Sequence, residues 1–340
     1  MDVPIVQTGM GWVAGPRLVS ATAEAGALGI LASATMDFAQ LRSAVDEVKA
    51  RTSRPFGVNL RADSSDINDR IALLIDQGVR VASFAQAPKE ALIGRLKDAG
   101  VVVVPSIGAR RHAEKVIAWG VDAVLVQGGE GGGHTGSVPT SVLLPQVVDA
   151  VAGRVPVLAA GGFFDGRGLV AALAYGADGI AMGTRFLLTS DSAVPDSVKR
   201  YYLERTVADT VVTKQVDGVP HRVLATPLVA GLESGRGRAL ALPRALLNAH
   251  RFRRMTGLTL GSMFREGRAM RSSMDLSWTQ TVMAANTPML LKAALVDGEV
   301  GSGVMASGQV VGVIDDLPTC AELVERIVAE AGRVLDGLTS

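Results

Sequence analysis

Short apolar runs rich in β-branched residues recur through the first 190 residues, at 4–6, 28–31, 56–60, 79–84, 101–105, 123–126, 156–160 and 179–182. Between them, segments 15–26, 37–52, 66–78, 88–100, 109–120, 141–151 and 167–176 space their apolar residues as helices do, and several stop on a glycine. Continuous apolar runs of this length suit strands buried on both faces, and the alternation with helices is the βα rhythm. Eight strands with their crossovers predict a (β/α)8 TIM barrel over residues 1–194. A doubly wound open sheet fits the same rhythm and is the structural alternative.

Beyond Thr184 the rhythm stops. Residues 195–285 carry weaker helical periodicity and are read as a smaller, mainly helical cap inserted after strand eight. Residues 286–340 are read as the return to the barrel: a helix start at 286–292, an apolar glycine-containing loop at 306–312, and an amphipathic helix at 318–338. That helix is expected to gather Leu323, Ile327, Val328 and Leu335 on one side.

In a barrel the chemistry collects past the C-terminal strand ends. Here those positions hold Gln7 to Gly11, Ala32-Ser33, Asn59, Ala85-Gln86, Ser106, Gln127 to His134, Gly161-Gly162 and Gly183-Thr184. This is a neutral mouth of glycine, amide and hydroxyl groups. It has no clustered His, Asp and Glu at ligand spacing, so no catalytic metal is expected; Glu130 and His134 together fall short of a zinc site. Such a mouth suits a large planar cofactor held by backbone and amides. Glycines 128, 129, 131, 132, 133 and 136 give the sixth loop a surface on which a flat ligand can lie. His134 is the group inside it that titrates near neutrality. Gly161-Gly162 after strand seven and Gly183-Thr184 after strand eight offer main-chain N–H groups to a phosphate.

Composition changes little in this picture. Apolar residues make up 48% of the chain and aromatics 4%, so the core is Val, Leu, Ile and Ala, as buried parallel sheet requires. A net charge of +1 gives no global reason to bind nucleic acid. Cys320 stands alone, which excludes an internal disulfide and fits a reducing compartment; it is read as a buried small hydrophobe. No apolar run is long enough to span a membrane and no secretory leader pattern opens the chain, so a soluble, cytoplasmic protein is expected. Charge does matter locally: nine arginines face one acid, Glu266, between Arg236 and Arg271. Arg251, Arg253 and Arg254 are crowded within that run and are candidates for a phosphorylated substrate handle, a solvated helical face being the plainer reading. His112, His221 and His250 are read as structural.

Several stretches resemble the FMN-dependent nitronate monooxygenase (2-nitropropane dioxygenase) superfamily: Pro4 to Met10, Gly26 to Ile30, Gly57 to Asn59, Glu130 to Gly136, Ala160 to Gly162 and Met182 to Phe186. The resemblance implies FMN, with its phosphate on Gly161, Gly162, Gly183 and Thr184. It places the ring near Gly9, Met10, Asn59 and Gln127, and the glycines Gly132 and Gly133 lead on to His134, which faces the substrate. Two departures stand out. Thr8-Gly9-Met10-Gly11 replaces the Ala-Pro-Met-Ala of nitronate monooxygenases and is more like the flavin-dependent enoyl-thioester reductases. Gly131 replaces the alanine of the Glu-Ala-Gly-Gly-His pattern. Segments 6–36 and 104–188 with the Asp315-Asp316-Leu317-Pro318 tail are most similar to a reductase branch acting on CoA esters in steroid ring C/D breakdown. That implies an oxidoreductase of an unsaturated or oxo acyl-CoA, with NADH or NADPH as electron partner, His134 as acid or base, and the arginines on CoA phosphates. Nitronate oxidation by O2 is the alternative, a flavin-binding sensor a third reading, and a homodimer is admitted.

Overall fold

The computed structural model describes residues 1–234 and 278–339. The chain forms two compact units, one of residues 1–131, 135–193 and 313–340, the other of residues 132–134 and 194–312.

The first unit is a closed parallel barrel. Its strands are β1 (Ile5–Gln7), β2 (Leu28–Ala32), β3 (Gly57–Leu60), β4 (Val81–Phe84), β5 (Val102–Ile107), β6 (Val124–Gln127), β8 (Val157–Ala160) and β9 (Gly179–Met182). β7 (Gly133–His134) belongs to the other unit. Pairing of Ile5, Val6 and Gln7 with Ile180, Ala181 and Met182 closes the ring. Seven helices follow strands as the periodicity predicts: α1 (Pro16–Glu24), α2 (Phe38–Arg51), α3 (Ile67–Asp76), α4 (Glu90–Asp98), α5 (Arg110–Ala118), α6 (Thr140–Val151) and α7 (Gly166–Ala174); the four-residue α8 (Thr184–Leu187) follows β9. Glycines 26, 78, 100, 120 and 176, each one to two residues past a helix, have positive φ and end it in the left-handed conformation.

Side chains alternate across each strand, so one set lines the barrel and the other meets the helices. Val6, Leu28, Ile30, Val81, Val104, Leu125, Leu158, Ala160 and Ala181 form one buried cluster. Continuing the same alternation by one step brings Thr8, Asn59, Ser83, Ser106 and Gln127 onto this face at the C-terminal end. An apolar plug is thus topped by a polar layer, and that layer is the floor of the mouth.

The C-terminal helix α12 (Cys320–Thr339) packs on α7 and α1. A Cβ on Gly166 would come within 2.5 Å of the Ile327 carbonyl oxygen, so the close crossing of α7 and α12 requires glycine there. The buried stripe of α12 is Leu323, Val324, Ile327 and Ala331, whereas Val328 and Leu335 are 41% and 45% exposed. The expected face was therefore rotated: Val328 lies about 100° around the helix from Ile327, off the line that Leu323 and Ile327 share. Cys320 is fully buried, as expected, and burial pushes its thiol up to about 12.

The second unit is not purely helical. Its three-stranded antiparallel sheet has the order β10 (Thr210–Thr213), β11 (His221–Leu224), β7. Helices α9 (Asp196–Leu203), α10 (Pro227–Glu233) and α11 (Trp278–Leu295) accompany it. Its core gathers Val216, Val223, Val229, Leu232, Leu290 and Val304. Tyr202 is fully buried and donates its hydroxyl to Ala306 O at 2.8 Å; burial holds the phenol far above its ordinary range. Two expectations shift. Residues 286–292 do not start a helix but lie inside α11, which carries Pro288 in its interior. The return to the barrel begins at 313 rather than 286, and 306–312 belongs to the second unit.

Candidate active site

At the barrel mouth the glycines have specific geometric duties. A Cβ on Gly9 would lie 2.4 Å from Asn59 Cβ, so only glycine lets the loop after β1 rest on the end of β3. Asn59 Nδ2 donates to Ser83 Oγ at 3.3 Å across the polar layer. Three residues beyond Gly9, Trp12 holds φ 65, a left-handed conformation that costs a side chain of this size energy and clusters at functional loops. Gly161 and Gly162 both sit at φ 90. A Cβ on Gly161 would press on Gly128 O at 3.0 Å, but on Gly162 the nearest atom is Glu130 Cβ at 3.8 Å. A Cβ on Gly183 would meet Met10 Sδ and Thr8 Oγ1 at 3.4 Å. The bare backbone at 162 and 183, beside a polar floor, is a cradle a flavin phosphate fits.

The sixth loop is built onto this frame. Gly128 N–H donates to Ala160 O at 3.0 Å and Gly129 N–H to Val138 O at 2.7 Å. Gly128 lies so close to Thr140 that any Cβ would collide with its backbone. Glu130 is engaged by the start of α6. Its carboxylate accepts the Thr140 amide at 3.0 Å and lies 2.7 Å from the Thr140 hydroxyl, which is also 2.9 Å from Gly161 O. It thereby supplies, from a distance, the cap that Pro139 cannot give α6. The glycine at 131 has its own reason: a Cβ there would stand 2.7 Å from Gln127 Nε2. The alanine of the common pattern would re-aim that amide.

Gly132, Gly133 and His134 lie in the second unit. A Cβ on Gly132 would come within 2.6 Å of the Gly308 nitrogen, and Gly133 pairs with Arg222 in the sheet. His134 is paired with His221 across β7 and β11, the two rings 4.7 Å apart. His134 Nε2 lies 2.6 Å from Asp217 Oδ2, and His221 Nδ1 lies 3.4 Å from the same oxygen without hydrogen-bond geometry. Asp217 sits in the turn joining β10 to β11. Its Oδ1 accepts the Val219 amide at 3.1 Å, Gly218 follows at φ 86, and Thr287 ties the preceding Val216 carbonyl at 3.1 Å. Burial alone would raise the Asp217 carboxyl, but the hydrogen bond to His134 and the close approach of both imidazoles outweigh it and hold the group far below the usual carboxylate range.

Asp217 has no sequence signature that joins it to His134, 83 residues away, and His221 looked structural; strand pairing alone brings the three together. Their ligand atoms lie within 4.8 Å of one another, close enough for a metal ion. The 2.6 Å contact is nevertheless a complete hydrogen bond, which a metal would have to break. His112 is exposed on α5; burial and then Arg111 and Lys115 lower it. Arg251, Arg253, Arg254 and His250 lie outside the described residues.

A profile described as nitronate monooxygenase matches residues 1–330. The chain belongs to the nitronate monooxygenase family. It is accordingly an enzyme, a flavin-dependent oxidoreductase on a TIM barrel. Within this family it is 66% identical, over 97% of its length and 93% of the relative's, to a Mycobacterium tuberculosis protein named (3aS,4S,5R,7aS)-5-hydroxy-7a-methyl-1-oxo-octahydro-1H-indene-4-carboxyl-CoA dehydrogenase. A Rhodococcus jostii protein of the same name is 62% identical over 98% and 94%. A probable nitronate monooxygenase of Staphylococcus aureus is 33% identical over 64% of this chain and 74% of that one. Among solved structures, FabK from Thermotoga maritima has a TM-score of 0.79 at 32% identity, covering 100% of this chain and 96% of its own. A nitroalkane oxidase from Streptomyces ansochromogenes has 0.77 at 28%, covering 99% and 97%. Among the described residues no helix is long and apolar enough to cross a membrane.

Proposed function

We propose that this family member is a reductase or dehydrogenase of an unsaturated or oxo hydroindane carboxyl-CoA ester, with FMN as its flavin and NADH or NADPH as electron partner. The observation that carries the reading is near full-length identity above 60% to two relatives named as dehydrogenases of such a CoA ester. When bound, the flavin supplies the hydride acceptor or donor. Gly161, Gly162, Gly183 and Thr184 hold its phosphate through main-chain amides, and Gly9, Met10, Asn59 and Gln127 line its ring. Gly132 and Gly133 carry the chain into β7. His134 takes a proton from the substrate as it is oxidised and returns it in reduction. Arg251, Arg253 and Arg254 bind the CoA phosphates.

The purified protein should be yellow and release FMN on denaturation. Under anaerobic conditions the 5-hydroxyindane carboxyl-CoA ester should bleach the flavin, and His134→Ala should slow that bleaching at least ~10-fold without lowering flavin content. A colourless protein that takes up no FMN overturns the cofactor assignment. Bleaching by an alkyl nitronate but not by the CoA ester would instead assign nitronate oxidation, which the similarity to nitroalkane oxidase favours as the second reading.

A further inference from the structure

We infer that His134, Asp217 and His221 form a binding site for a divalent transition-metal ion, zinc being the ion their donor atoms suit, and that the bound ion inhibits the enzyme. The inhibition rests on the reading of His134 as the acid–base group; the site does not. All three residues belong to the second unit. Strand pairing sets His134 of β7 directly opposite His221 of β11, so both imidazoles stand on one face of the sheet, and the turn before β11 brings Asp217 to the same place. Two ring nitrogens and a carboxylate oxygen lie within 4.8 Å of one another. Four-coordinate zinc, with bonds of about 2.0–2.2 Å to nitrogen and oxygen, spaces its donors about 3.3 Å apart. His221 Nδ1 and Asp217 Oδ2, 3.4 Å apart, already have that spacing.

His221 is what points to an ion. Its ring is 3% exposed, and its Nδ1 faces the Asp217 carboxylate without a hydrogen-bond partner. A buried ring nitrogen is costly to leave unmatched, and a cation between nitrogen and oxygen satisfies both. Asp217 is prepared as a one-oxygen ligand: the Val219 amide holds Oδ1 at 3.1 Å while Oδ2 turns to the two histidines, the outer anchoring that ligating carboxylates use. His134 is the adjustable member, its side chain 60% exposed against 10% for Asp217. The ion takes the place of the hydrogen between these two and opens their contact from 2.6 Å to about 3.3 Å. Two imidazoles and one carboxylate favour zinc, copper or nickel over magnesium and calcium, which take oxygen donors. Coordination ties up Nε2 of His134 and lowers the basicity of the whole ring, so proton transfer through it stops.

The test uses tag-free, full-length, flavin-loaded enzyme dialysed against EDTA and then against chelator-free buffer. Calorimetric titration with ZnCl2 should show about one ion per chain. His221→Gln and Asp217→Asn should each weaken zinc binding by at least the ~10-fold that losing even an outer partner of a ligand costs, and His112→Gln, on α5, should not. Should the first two variants shed flavin or melt early, zinc-edge X-ray absorption on the loaded wild type carries the test: two imidazoles with oxygen donors support the site, and a sulfur donor or fewer than two imidazoles overturns it. Absence of zinc binding in the wild type overturns it too, as does wild-type affinity in either variant, and both results leave the proposed function as it stands. In turnover, saturating zinc should slow bleaching of the flavin by the CoA ester about tenfold or more. His221→Gln, compared with its own zinc-free rate, should need correspondingly more zinc for the same loss. Zinc bound at this site with turnover unchanged overturns the inhibition and with it the acid–base reading of His134.

Discussion

Gly161 and Gly162 share a backbone conformation but not surroundings, and the difference separates strain from function. Both hold φ 90, where any side chain is strained; Gly78, at φ 66 with open space around it, pays the same conformational cost on the far side of α3. Gly162→Ala and Gly78→Ala should each lose ~1–2 kcal/mol of stability in urea titrations. Only Gly162→Ala should also reduce the FMN retained after dialysis, because its methyl enters the cradle. Equal flavin content in the two variants would remove Gly162 from the phosphate site. Gly131 belongs to the same scale: the missing methyl there leaves room for the Gln127 amide, which turns a departure from the family pattern into a statement about how that amide is aimed.

At the scale of elements, α6 depends on a residue ten positions upstream. Removing the Glu130 carboxylate leaves the Thr140 amide without its acceptor at a buried helix start. Glu130→Ala should therefore cost ~1–2 kcal/mol, read as a lower denaturation midpoint at unchanged m-value. A midpoint equal to wild type would show that water replaces the cap. Glu130 also shows where sequence reading stopped. All eight barrel strands and seven of its helices were legible to within a few residues, because burial on both faces writes continuous apolar runs and glycine marks each stop. The mouth residues followed, since strand ends are fixed once strands are. What could not be read was tertiary: Glu130 as a remote cap, Asp217 against His134, and the antiparallel sheet of the second unit. β7 is two residues long and half glycine, so it has no period to detect. On α12 the period was visible, but Val328 was assigned to a face that Val324 and Ala331 occupy.

At the scale of the whole molecule, the first unit is completed by a segment distant in sequence. Arg185, 4% exposed, donates to the Asp316 carboxylate at 2.8 Å, the Asp316 carbonyl at 2.9 Å and Leu188 O at 2.6 Å. Arg326 meets the same carboxylate at 2.6 Å. Burial pushes the Asp316 carboxyl up, but Arg326 and Arg185 outweigh it and hold the group below its ordinary value. A lowered carboxyl contributes stability above its unfolded pKa and loses it as pH falls through the folded one. The Tm of the wild type should accordingly drop below about pH 4, the ordinary carboxylate range. Asp316→Asn should start ~2–4 kcal/mol less stable at pH 7, the lower part of the range reflecting its partly exposed carboxylate, and lose less on acidification. An unchanged acid slope in that variant would show that the Arg185 lock does not govern it.

The same lock sets an order of assembly. The ring of strands shuts when Ile180 to Met182 reach β1, yet Gly166, Arg185 and the bare flanks of α1 and α7 wait for residues beyond 313. A nascent chain on the ribosome can thus own a finished barrel and still show apolar helix backs to solvent until its tail emerges and seals them.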